Sequence, residues 1–129
     1  MFARAILTAV LAGGLAGLAG LAGCGPAKLD VNKNYSLDMM EAQEIGLPAQ
    51  SQPQTITVEF ESTEGAVQVG VYRETDADDI LMVDPQKAIA AEKGQSGRLT
   101  ASVPENTATK VVIGNAEKKT DVKVHVTNR

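Results

Sequence analysis

From Thr55 to the end of the chain, apolar and polar residues alternate in short runs. In TITVEFES, Ile56, Val58 and Phe60 fall on one side, while Thr57, Glu59 and Glu61 fall on the other. The run AVQVGVYR places Val67, Val69 and Val71 together, and RLTASVP does the same for Leu99, Ala101 and Val103. TKVVIGN puts Val111 and Ile113 inward, and DVKVHVTN puts Val122, Val124 and Val126 inward against Lys123, His125 and Thr127. A period of two is the mark of a strand with one buried face, because successive side chains leave a strand in opposite directions. Five such runs separated by turn residues predict an all-β fold, a small antiparallel β-sandwich with one wet face per sheet.

Finer expectations follow from the punctuation. STEG, with Gly65, predicts a loop that joins the first two runs as a hairpin. Asp84 as N-cap, Pro85 at the first helical position, three alanines and Gly94 as stop predict one short helix over Asp84 to Lys93. Ile80 to Val83 reads as a buried strand or turn before it. YSLDMMEAQEIGLP admits two readings, a short helix capped by Ser36 and running through Ala42, or, favoured because Tyr35/Leu37 and Ile45/Leu47 each alternate, two short strands joined by an Asp38–Glu41 turn. Met39 and Met40 read as fillers of a gap in the core, the commoner use of methionine, with a sticky partner site as the alternative.

The first residues follow another pattern. Met1-Phe2-Ala3-Arg4 is a short, positively charged start, and Ile6 to Gly23 then runs without a charge. The run approaches the roughly 18–20 residues of a membrane span. Five glycines, Gly13, Gly14, Gly17, Gly20 and Gly23, weaken a helix there, and no basic stop-transfer cluster follows. The chain's one cysteine, Cys24, stands directly behind Leu21-Ala22-Gly23. Leu21-Ala22-Gly23-Cys24 resembles the lipobox of bacterial lipoproteins, with cleavage before Cys24. The resemblance implies that Cys24 carries a covalent lipid, a thioether to diacylglycerol with palmitate-type chains, and becomes the mature N-terminus. Two or more acyl chains turn marginal membrane binding into stable anchoring. Gly25, where an aspartate would hold such a protein at the inner membrane, points to the outer membrane. An ordinary signal peptide cut elsewhere would leave Cys24 an idle thiol.

The expected organisation is therefore a signal peptide over 1–23, a lipidated cysteine and flexible tether over 24–33, and a sandwich over 34–129. Residues 54–129 also resemble the jelly-roll-type sandwiches of bacterial pre-peptidase C-terminal domains, through VQVGVYRETDADD, GQSGRLTASVPENTATKVVIGN and VKVHVTN. That resemblance implies a non-catalytic accessory role.

Charge and chemistry narrow the function. Without Arg4, the 12 basic side chains become 11 against 16 acidic ones. That balance excludes the basic stripe that binding to nucleic-acid phosphates needs. Aromatic residues after the leader are Tyr35, Phe60 and Tyr72 alone, so no row of stacking platforms for sugars is expected. ETDADD brings Glu74, Asp76, Asp78 and Asp79 close together, the one candidate for a calcium loop. The EF-hand spacing fails, however, because Ile80 takes an acidic position and no glycine supplies the sharp turn. His125, the single histidine, reads as a surface residue. It is also the only base a serine triad would have, and no nucleophile elbow flanks a serine. The sequence thus predicts a non-enzymatic envelope lipoprotein without cofactor, whose partners are the membrane and an envelope protein or polymer. The alternative is a ligand- or calcium-binding accessory protein that uses residues 74–79.

Overall fold

The computed structural model describes residues 26–79 and 84–129. Its alternating runs become eight strands: β1 Asp30–Leu37, β2 Gln43–Leu47, β3 Gln54–Ser62, β4 Val67–Arg73, β5 Ala90–Gly94, β6 Ser96–Val103, β7 Thr109–Gly114 and β8 Thr120–Asn128. They form two four-stranded sheets, ordered β1-β8-β3-β6 and β2-β7-β4-β5. Every described pairing is antiparallel. The order has a simple origin. The chain doubles back on itself, so that β1 pairs with β8, β2 with β7, β3 with β6 and β4 with β5. This ribbon is then rolled up, and the contacts β3·β8 and β4·β7 complete each sheet. Eight strands in two facing sheets wound this way make a jelly roll.

The core lies between the sheets and is built almost wholly from the residues that the period of two turned inward. Ile56, Val58, Phe60, Val67, Val69, Val71, Leu99, Ala101, Val103, Val111, Ile113, Val122, Val124 and Val126 are all buried in one cluster. β-branched residues suit these positions because their branched Cβ packs well on a pleated surface.

Four expectations are corrected. The first concerns the hairpin at Gly65: β3 and β4 lie in opposite sheets. Ser62 to Ala66 instead crosses from one sheet to the other, fastened by Thr63 N–H to Asp121 O (2.9 Å) and Glu117 N–H to Ala66 O (3.0 Å). Gly65 takes a positive φ of 74° in the crossing, a conformation that costs glycine least.

The second concerns the helix. Its start survives, since the Asp84 side chain accepts from Gln86 N–H at 2.9 Å and Pro85 opens a single 3-10 turn, Pro85–Lys87. Ile89 N–H then bonds Val71 O at 2.7 Å. That bond draws Ala90–Gly94 into a strand along β4. Ladder pairing outweighs the few tenths of a kcal/mol per residue of alanine's helix preference.

The third concerns the wet faces. The outer face of the β2-β7-β4-β5 sheet carries a second apolar cluster of Tyr72, Ala77 and Val112, joined by Ala42 and Ala88. Tyr72 lies across Gly70, where a Cβ would stand 2.7 Å from the ring. The fourth is the tether: β1 begins at Asp30, so residues 30–33 belong to the sandwich. The readings of residues 1–25, Cys24 included, and of Ile80 to Val83 lie outside the described residues.

Candidate functional site

The sandwich has two ends. At one end the chain arrives from its N-terminus and is fastened at once. Ala27 N–H donates to Gln50 Oε1 at 3.1 Å, and Gln50 Nε2 returns a bond to Ala27 O at 3.4 Å. Asn128 completes the clip: its Nδ2 donates to Ala27 O (2.9 Å) and to Gln54 Oε1 (2.8 Å), while its Oδ1 accepts from Leu29 N–H (2.7 Å). The predicted tether is therefore fixed from Ala27 onward. No local signal in the sequence marks Asn128 as a clip, because its partners lie 74, 99 and 101 residues away.

At the opposite end, β1 arches over to β2 through Asp38–Glu41. The predicted turn is present, closed by Glu41 N–H to Asp38 O at 3.1 Å and by Asp38 N–H to Glu41 Oε1 at 2.9 Å. Ala42 Cβ packs at 3.1 Å from the position a Cβ on Gly114 would take, which braces the arch on β7. Met39 and Met40 are 61% and 88% exposed. The expectation that they fill a core gap is corrected. They sit at the two tip positions of a turn, where the chain reverses and neither side chain can reach the interior.

The outer face of the β1-β8-β3-β6 sheet is polar. His125, half-buried on β8, has its Nε2 at 2.7 Å from Asp30 Oδ1 on β1 and its Nδ1 at 3.6 Å from Glu59 Oε1 on β3. Register brings them together, because Glu59 faces His125 directly and Asp30, opposite Thr127, reaches it across the diagonal on the same face. Such part-exposed contacts contribute at most about 1 kcal/mol and hold three strands in line rather than activate a nucleophile. Beside them an open depression of 620 Å³ is lined by Asn32, Asn34, Glu59, Glu61, Lys123 and His125. It is open to solvent, and its lining mixes these polar side chains with Phe60 and Val124, unlike the enclosed, largely apolar pockets that hold small ligands.

The acidic segment does not assemble. Glu74–Asp76 forms one 3-10 turn. The buried Ala77 interrupts the carboxylates, and its carbonyl accepts from Lys110 Nζ at 3.2 Å, while Lys110 also pairs with Glu44 at 3.0 Å. Glu74 and Asp78 are exposed and Asp76 is half-buried. Among the described residues, no three His, Cys, Asp or Glu side chains converge as a metal site. None of the described helices is long and apolar enough to cross a membrane.

Neither a protein-family model nor a curated protein matches the chain. Among solved structures, the chain is similar to PliG of Aeromonas hydrophila, a periplasmic lysozyme inhibitor of g-type lysozyme. The TM-score is 0.51 at 13% identity, over 85% of this chain and 93% of that one. A subunit of the disulfide-linked pili of Bacillus endospore appendages also matches, with a TM-score of 0.46 at 13% identity, over 84% of this chain and 96% of that one. The likeness to PliG is one of fold.

Proposed function

We propose that this chain is a non-enzymatic lipoprotein of the bacterial envelope, anchored through an acylated Cys24 and acting as a protein-recognition module. The junction between leader and sandwich carries the reading. Leu21-Ala22-Gly23-Cys24 supplies the lipobox, and the chain is clipped to the sandwich from Ala27 onward. Three residue steps from Cys24 to Ala27 span at most about 10 Å, so the acylated sandwich stands directly on its membrane. The polar sheet face and the disperse carboxylates fit recognition better than catalysis, which would need converging groups in a cleft. PliG offers a parallel, since a sandwich of this type serves there as a periplasmic inhibitor. The class of role is carried to this chain, not the target. Gly25 after the cysteine favours the outer membrane.

Mass spectrometry of protein extracted from membranes tests the anchor. The expected N-terminus is an acylated Cys24, and Cys24→Ser is expected to abolish acylation at that position. A mature, soluble protein starting at any other residue would end this reading.

A further inference from the structure

We infer that the sandwich core binds one buried water molecule at the end where Asn128 clips Ala27, held between Gln54 of one sheet and Thr109 of the other. Gln54 opens β3 and Thr109 opens β7. Both occupy inward positions, in step with Ile56 and Val58 on one strand and Val111 and Ile113 on the other. They are 4% and 1% exposed. Yet Gln54 Nε2 and Thr109 Oγ1, both sealed from solvent, have no hydrogen-bond partner among the described residues. Buried polar groups are nearly always bonded, so two orphans at one end of a core point to a ligand that completes them.

Topology makes the two residues neighbours. β1 joins β2 through the arch and β5 joins β6 through Gln95 alone, so the two sheets lie over each other in matching strand order. β8 then faces β7, and β3 stands next to β8. β2 leaves the arch and ends at Leu47, opposite Thr109. Gln54 lies one inward position before Ile56, which faces Asn128. Both residues thus belong to the layer that Asn128 closes. Facing sheets are about 10 Å apart, a span that a glutamine and a threonine reaching inward close to within one bridging molecule.

Gln54 cannot find a partner by turning its amide over. Asn128 Oδ1 accepts from Leu29 N–H at 2.7 Å, so Asn128 Nδ2 is the group that meets Gln54, whose Oε1 accepts from it at 2.8 Å. A reversed amide would set N–H against N–H, which leaves Nε2 as the orphan. Chemistry then selects the ligand. Nε2 only donates, whereas a hydroxyl both donates and accepts, and water can accept from the first while bonding the second either way. A buried ion would lack a countercharge in this layer. Leu47 and Val103, opposite the two residues, are apolar, and Arg73, across from Thr109, is exposed. A neutral molecule avoids that penalty. An open depression of 420 Å³ bounded by Pro53, Gln54, Val103 and Pro104 gives water a way in.

A high-resolution crystal structure of the mature chain tests this. The expected density is one water at about 2.7–3.2 Å from both Gln54 Nε2 and Thr109 Oγ1. It is expected to disappear in Thr109→Val, which keeps the shape of the side chain. No peak, a peak that touches one of the two atoms alone, or a direct bond between them would overturn the inference. So would an anomalous scatterer at that position, which means an ion. A double-mutant cycle with Thr109→Val and Gln54→Met, read from urea midpoints, gives an independent answer. Residues that share a bound molecule are not additive. The double variant is expected to unfold at a midpoint no lower than that of the weaker single variant, because the second substitution removes the group that the first left unsatisfied. Midpoint losses that simply add would overturn the bridge.

Discussion

Val124→Asp and Lys123→Asp change neighbouring residues and are expected to differ by most of the protein's stability. β8 is an inner strand, paired to β1 on one side and β3 on the other, so both neighbours hold its register. Val124 is 2% exposed and sits opposite Phe60. Losing its burial costs about 1.5–3 kcal/mol. Placing a carboxylate there adds several kcal/mol, or forces the group to hold a proton it would otherwise release, and Lys33, opposite on the edge strand β1 but exposed, offsets only part of that. The sum approaches the ~5–15 kcal/mol that holds a small domain together. Lys123 is exposed on the outer face, opposite Asn34 and Glu61. An aspartate there meets Glu61 as a like charge across the ladder, which costs roughly 0.2–1 kcal/mol. Urea unfolding followed by far-ultraviolet circular dichroism measures both, read from midpoints at constant slope. The expected order is an unfolded or nearly unfolded Val124→Asp and a Lys123→Asp close to wild type. Equal midpoints would refute the inward-face assignment. A reversed order would mean that β8 is out of register by one residue.

Thr120 is buried at the start of β8, and its Oγ1 accepts from Glu64 N–H at 2.8 Å and lies 2.6 Å from Ser62 Oγ. Thr120→Val strands that N–H and is expected to cost about 1–3 kcal/mol in the same unfolding assay, with Thr120→Ser recovering much of it. Burial first, and the Asp84 charge second, raise the Tyr72 phenol above its usual 10.0. The folded state then keeps a proton that the unfolded chain gives up, so this stabilisation is full below pH 10 and is lost as pH rises through the folded value. Tyrosinate absorbance is expected to show late ionisation of Tyr72, earlier in Asp84→Asn, and Tyr72→Phe is expected to flatten the alkaline loss of stability. Millimolar calcium is expected to leave the melting temperature nearly unchanged. A saturated site at a hundredfold its dissociation constant would add about 2.7 kcal/mol, several degrees in a domain this small, and a shift of that size abolished by Asp76→Asn with Asp78→Asn would restore the cation-binding reading.

The inward and outward faces were legible from single runs of sequence, because the period of two belongs to each strand alone. Val67, Val69 and Val71 are buried whatever strand lies beside them. The start of the 3-10 turn was legible for the same reason, since the Asp84 cap and Pro85 act within three residues. Pairing was not. A hairpin at Gly65 and a crossing at Gly65 bury the same valines, and only the rolled ribbon decides between them, by setting Asp121 and Glu117 against the connection. Ala90–Gly94 became a strand because β4 offered it an open edge. The same closure assembled the groups of functional interest. His125 met Asp30 and Glu59 through the register of three strands, Asn128 reached Ala27 from the other end of the chain, and the sheet-to-sheet arch turned Met39 and Met40 outward. Local spacing fixes which side of a strand a residue occupies, whereas its neighbour across the ladder depends on which distant strand the chain's closure brings alongside.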